Sequence, residues 1–194
     1  LIVFGFGLLR SVKVVVSQAT GAGRRGDLAV YVAAAVGLAV VLGVAGIAAG
    51  RWLAGVLPRF SANSEAGALA AEYLWWRNLG APFVLVAVAL REARYGLGES
   101  RSPLVSALAA NLTNIALDVV FIVVLGLGVR GAGAATALSH VVEAAFLVRA
   151  SRDPGFAWAR VKIRHVVALL RLGVPLGLQF LLEVGAFAVL VVVL

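Results

Sequence analysis

Long apolar runs separated by short charged clusters make up nearly the whole chain, and within each run the apolar residues are continuous rather than alternating with period two. A helix needs about 20 mostly apolar residues to cross the hydrocarbon core of a bilayer. The pattern predicts six such helices, at 1–18, 28–50, 72–93, 102–125, 131–149 and 166–194. The third is the least apolar, because Glu72 and Arg77 confine its uncharged part to Asn78 through Leu90. A closed β-barrel would need apolar and polar residues to alternate along each strand, which these runs do not do. The expected fold class is an all-α membrane protein, a polytopic helical bundle.

Composition agrees with that reading. The 194 residues are 62% hydrophobic and 13% charged, against about 45–50% and about 25% in soluble domains. In water every helix would have to be buried on all sides, which a chain of this size can hardly achieve.

Charge then orients the bundle. A net charge of +8 would fit nucleic acid only if the basic residues shared one face of a soluble fold, whereas here they cap apolar runs, so no nucleic-acid partner is expected. If the loops are assigned alternately to two sides, eleven Lys and Arg residues fall on one side and four on the other, with Arg10 and Lys13 inside the first span. The richer side is expected to be cytoplasmic, which places loops 19–27, 94–101 and 150–165 there and predicts a multi-pass protein of the cell's inner (plasma) membrane. Loop 58–72 is the longest outer connection and has room for a short interfacial helix.

The absence of Cys excludes disulfides, thiolate metal sites and cysteine nucleophiles. The absence of Met, together with Leu1 and Leu194 lying inside apolar runs, predicts an internal piece of a longer chain, cut within a membrane helix at each end. The opening stretch "LIVFGFGLLRSVKVVVSQ" has no basic n-region ahead of it and no small-residue cleavage site, so it does not read as a signal peptide.

Few motifs speak for catalysis. "GAGRRG", 21–26, has the letters of a dinucleotide fingerprint but lies between two membrane spans, and is expected to be a tight turn instead. The sequence shows no P-loop, no Ser/His/Asp set and no zinc-binding helix motif, so neither enzymatic activity nor a cofactor is expected. His140 and Glu143 stand three apart, with Thr136 one turn earlier. An interhelical hydrogen bond, or exposure near the helix end for Glu143, is a better reading of that trio than a metal site. Arg10 and Lys13 share nearly one face, and either line an aqueous cavity or reach the inner headgroups. Spacings such as Gly46 to Gly50 and Gly173 to Gly177 predict close helix packing in lipid.

Two carboxylates stand out. Asp118 is the one charge in Ser102–Val129, a run of 28 residues. At bilayer depth a charge costs at least about 2.5–3.5 kcal/mol, so it is expected to face the protein interior or water and to have partners. Asn111 and Asn114 precede it at helical spacing, which puts three polar side chains on one face. Glu183 raises the same question in "GVPLGLQFLLEVGAF", 173–187, where Gln179 lies one turn earlier and Pro175 is expected to bend the helix and free backbone carbonyls. Bent helices carrying acids near mid-membrane are common in ion-coupled transporters.

Taken with "VSQATGAG" (16–23), "GLGESRSP" (96–103) and "GLGVRGAGAATALSH" (126–140), these stretches resemble the multidrug and toxic compound extrusion (MATE) family. Its members carry a Gly-rich loop after the second helix, an Arg-Thr-Pro-like start to the fifth, and an Asn-x-x-x-Asp pair within the fifth. A Gly-Val-x-Gly-Ala turn leads into the sixth, and Gly-x-Pro opens the seventh. One departure is "RYGLGESRSP", which carries an extra residue between Arg94 and the Gly-rich turn. The resemblance implies a fragment of a twelve-helix antiporter. Residues 1–150 would be an N-terminal lobe lacking its first helix (helices 2–6), 151–165 a cytoplasmic inter-lobe linker, and 166–194 the first helix of the C-terminal lobe (helix 7). Helices 1 and 8–12 of the same chain would be its partners, and the fragment is not expected to transport by itself.

The same resemblance implies export of cationic or amphipathic organic compounds in exchange for H⁺ or Na⁺. In the DNA-damage-inducible F (DinF) branch an N-lobe ion site uses residues matched here by Asn114, Asp118 and Thr136, which could hold a Na⁺. In the NorM branch a helix 7 Glu, matched by Glu183, joins a C-lobe cation site. Asn111 and Gln179 become the expected substrate-cavity residues. Two rival readings remain. One is a lipid-linked oligosaccharide flippase of the same superfamily, favoured by Arg10 and Lys13, and the other is a non-transporting membrane scaffold.

Overall fold

The computed structural model describes residues 1–56 and 63–193. Among them the regular elements are helical. Helices α1 (Ile2–Leu9) and α2 (Ser11–Gly21) meet at Arg10 and form one span. They are followed by α3 (Arg25–Val56), α4 (Ser64–Asn78), α5 (Ala81–Gly96), α6 (Arg101–Asp118), a π-helical segment (Val119–Val124), α7 (Gly128–Ala150), a 3-10 turn (Trp158–Arg160) and α8 (Ile163–Val193). Ile2–Gly21, Arg25–Val56, Arg101–Val124, Gly128–Ala150 and Ile163–Leu190 are each long and apolar enough to cross a membrane.

The third expected span, 72–93, is not a single helix. It is the pair α4 and α5, bent by 50° at a break between Asn78 and Ala81. The cause is local: Pro82 has no N–H to donate and disfavours helical backbone before it, so it is tolerated only in the first turn of a new helix. With the pair counted once, the spans number six. Helix begins within loop 58–72, since α4 starts where the Asn63 side chain accepts the N–H groups of Glu65 (2.9 Å) and Ala66 (3.4 Å). The first part of loop 58–72, up to residue 62, lies outside the described residues.

"GAGRRG" is the turn the sequence predicts. Gly23 sits at φ +69°, a left-handed conformation that Gly adopts without strain, and α3 starts two residues later. α8 runs through Pro175 as one element, although that proline cannot donate to the carbonyl of Arg171.

The core gathers Leu8, Leu9, Val12 and Val16 of the first span with Val32 of α3, Leu85 and Leu90 of α5, Leu147 of α7 and Leu169 of α8. α1 packs chiefly on α8, α3 on α5, α6 on α7, and α4 on α7. The α1–α8 crossing is a backbone contact, as the small-residue spacing predicts. A Cβ on Gly173 would stand 2.5 Å from the Leu8 carbonyl oxygen, and one on Gly177 would stand 2.8 Å from the Phe4 ring. The span formed by α6 and the π-helical segment is the least covered, with Leu108, Leu112, Ile115 and Val123 exposed.

The loops after α2, α5 and α7 gather at one end of the bundle. They enclose a cavity of about 610 Å³ lined by Thr20, Gly23, Arg25, Arg94, Leu97 and Asp153. Arg94 stitches this end together: it donates to the carbonyls of Ala150 and Asp153 (3.1 Å) and faces Glu99 at 3.5 Å.

Candidate ion and substrate site

Asp118 closes the regular part of α6, and the next six residues, "VVFIVV", widen into a π-helix. There Leu125 N–H reaches back five residues to the carbonyl of Val120 at 2.9 Å. Single turns of π-helix inside α-helices occur frequently at functional sites, because widening the turn re-aims the side chains beside it. Asp118 is half-buried and, among the described residues, has neither a hydrogen bond nor an ion pair. Asn114, one turn earlier, is also half-buried, and its Nδ2 is buried without an acceptor. Asn111 is exposed.

Thr136 stands on α7, the helix that packs most closely on α6. Its hydroxyl donates to the carbonyl of Ala132, one turn back, at 2.9 Å, which leaves the oxygen lone pairs free to accept or to ligate. A carboxylate, an amide and a hydroxyl thus stand on two packed helices and carry oxygens, the donors that hard cations prefer, but no described contact joins Thr136 to Asn114 or Asp118. No three His, Cys, Asp or Glu side chains come together among the described residues.

The second candidate carboxylate lies apart, on α8. Gln179 Nε2 donates to Glu183 Oε1 at 2.9 Å, so these two are brought together, and both are exposed. No described contact links them to the α6 residues. Arg10 lies over the Phe180 ring of the same helix at 4.7 Å, and Lys13 lies over Tyr95 of α5 at 5.9 Å. The first-span cations therefore reach toward α8 and α5.

Sequence reasoning identified the His140–Glu143 spacing but not its partner. Glu143 is buried and accepts a charged hydrogen bond from Arg91 Nη2 of α5, with His140 Nδ1 at 3.9 Å from its other oxygen. This is the interhelical bond expected, and it corrects the alternative of an exposed Glu143. A polar pair 52 positions apart leaves no local signal. Two hints existed all the same: Arg91 falls at the edge of an apolar run, and Glu143 falls inside one.

Comparison with known proteins agrees with this architecture. The MatE family model matches residues 1–120. The multidrug resistance protein MdtK of Klebsiella pneumoniae (strain 342) is 32% identical over 204 residues, covering 97% of this chain and 44% of its own. The probable multidrug resistance protein NorM of Acinetobacter baylyi is 29% identical, covering 92% of this chain and 42% of its own. A crystal structure of MATE in the bent conformation superposes with a TM-score of 0.82 at 25% identity, over 96% of this chain and 43% of that one. The chain spans less than half the length of the curated relatives it matches. With six apolar helical spans, the α4–α5 pair counted as one, and a family match over most of its length, the chain is a multi-pass membrane protein and belongs to the MatE family.

Proposed function

We propose that the chain works within a secondary transporter that exports cationic or amphipathic organic compounds in exchange for H⁺ or Na⁺ by alternating access. Residues 1–150 would supply helices 2–6 of an N-terminal lobe, 151–165 the linker and 166–194 helix 7, with the arginine-rich end in the cytoplasm. Relatives that bear multidrug resistance names support the activity.

The observation that carries the mechanism is Asp118, a half-buried carboxylate without a partner among the described residues, beside the unsatisfied Asn114 amide. An unpaired charge in low dielectric is costly, and binding a proton or a Na⁺ cancels the cost. A site that is expensive empty and cheap occupied prefers a different conformation in each state, and that difference couples ion binding to the substrate cavity. Asn114 and Thr136 would complete the coordination. Glu183 with Gln179 would act on the C-lobe side, and Asn111 and Gln179 would face substrate.

The test is efflux of a cationic dye by the full-length protein under imposed proton or sodium gradients, wild type against Asp118→Asn and Glu183→Gln. Loss of gradient-driven efflux in Asp118→Asn is expected, and unchanged efflux would remove Asp118 from the mechanism. Arg10 and Lys13, two cations within the first span that lie over Phe180 and Tyr95, keep open a second reading as a flippase for an anionic lipid-linked substrate. That reading predicts no dye efflux by wild type.

A further inference from the structure

At the arginine-rich end, two helices begin side by side: α3 at Arg25 and α8 at Ile163. Between them lie two adjoining cavities of about 280 and about 310 Å³ that share Asp27, Arg164 and His165. Arg160 and Lys162 complete the wall of the first and Arg24 that of the second. Four cations therefore face one carboxylate, and Asp27 is engaged by Arg24 at 3.8 Å. Among the described residues, Arg160, Lys162 and Arg164 have no carboxylate within salt-bridge distance.

Arg24, Arg160, Lys162 and Arg164 are exposed, and His165 anchors the wall among them, with Arg164 Nε donating to its Nε2 at 3.3 Å. His165 is buried, accepts the Lys162 backbone N–H on Nδ1 at 3.0 Å and meets Tyr31 of α3 edge-on at 5.4 Å, while the Arg160 guanidinium lies over Gly26, 3.7 Å from where a Cβ would stand. Both helix N-termini add positive dipole ends.

An apolar groove of about 310 Å³ runs from this bowl along α3. It is lined by Ala33, Ala34, Gly37 and Val41 on one side and by Trp158 and Val166 on the other, and Trp158 is 53% exposed. Bowl and groove are continuous in sequence: Val30 lines the bowl one turn before Ala34, and the groove residue Val161 lies between Arg160 and Lys162 of the bowl. A free anion would use the bowl and leave the groove empty, whereas an acylated phosphate would fill both.

We propose that this junction is a binding site for an anionic glycerophospholipid of the cytoplasmic leaflet, its phosphate in the Arg24–Arg160–Lys162–Arg164 bowl and an acyl chain in the Trp158 groove. The assignment to that leaflet rests on the orientation proposed above. The lipid would clamp the segment leading into α8 onto α3, where Ala157 N–H already donates to the carbonyl of Ala29 at 3.1 Å.

The test uses the full-length protein in detergent, with lipid retention counted by native mass spectrometry after exchange with phosphatidylcholine–phosphatidylglycerol vesicles. Wild type is expected to retain phosphatidylglycerol in preference to phosphatidylcholine. Arg160→Gln with Lys162→Gln should weaken that preference by about fivefold per charge removed. Trp158→Ala should weaken it with the charges intact. Arg101→Gln with Arg152→Gln removes two cations from the same end outside the bowl and should leave it unchanged. Equal loss in that control, or no loss in the bowl variant, would overturn the site. Displacement of the lipid by millimolar inorganic phosphate from wild type and Trp158→Ala alike would show a free-anion site and overturn the lipid assignment. Because the readout is retained lipid, a failure of dye efflux leaves this result standing.

Discussion

The Asn78 amide donates to the carbonyl of Gly46 at 2.8 Å, from a residue only 4% exposed at the point where α4 breaks from α5. A second carbonyl, that of Ile47, lies at 3.3 Å. The amide fits there because Gly50 has no side chain, and a Cβ on Gly50 would fall on the Asn78 amide. Asn78→Ala removes the interhelical bond and is expected to cost about 1–2 kcal/mol. Gly50→Ala alone pushes the amide out of place, but in the Asn78→Ala background the same change meets little. The two effects should therefore be non-additive, with a coupling within about 0.5–3 kcal/mol, readable from thermal melts of the four proteins.

This relationship also marks where sequence reading stops. The Gly46–Gly50 spacing announces a close approach, but the approaching residue is 32 positions away from Gly46 and leaves no local trace. The apolar runs themselves were legible because each span must satisfy its own backbone and present apolar side chains to lipid. The break at Gly80 and Pro82 carries a local signal that the reading of 72–93 as one span did not use. Of the candidate site, the α6 face was readable from spacing, and so was the Gln179–Glu183 pair. The π-helix after Asp118 was not, because nothing in "VVFIVV" separates it from an ordinary β-branched run.

Breaking the Arg91–Glu143 pair should be asymmetric. Glu143 has a side chain only 6% exposed, whereas that of Arg91 is 31% exposed. Arg91→Leu leaves a buried carboxylate with only His140 near it, and is expected to cost about 3–5 kcal/mol. Glu143→Leu leaves an arginine that can reach water along its flexible stem, so the loss should be smaller. Melting temperatures in one detergent decide the order, and the reverse order would show that Arg91 is the more deeply desolvated partner.

Glu99 gives a pH dependence with a definite sign. Burial pushes its carboxyl up, but the Ser102 N–H donated to it at 2.6 Å and the Arg94 guanidinium outweigh that and hold it below the ordinary carboxylate range. A carboxyl whose folded pKa is depressed stabilises the fold above its unfolded pKa, and loses that contribution as pH falls through the folded value. The gap in melting temperature between wild type and Glu99→Gln should be full near pH 7 and close as the medium becomes more acidic than the ordinary glutamate value of 4.5. A gap that is constant down to strong acid would mean the side chain acts through packing rather than charge.

Asp118 should separate function from stability. A residue kept for structure repays its cost in bonds, as Glu143 does with Arg91. Asp118 makes no such bond among the described residues, so replacing it with Asn breaks nothing in this part of the fold and removes a charge that costs about 2.5–3.5 kcal/mol or more at bilayer depth. The full-length Asp118→Asn protein is therefore expected to melt at or above the wild-type temperature near pH 7, while losing gradient-driven efflux. Melting curves and efflux measured on the same preparations check both halves. A clear drop in melting temperature would make the carboxylate a structural group with partners elsewhere in the protein, and efflux lost together with stability would then say nothing about coupling.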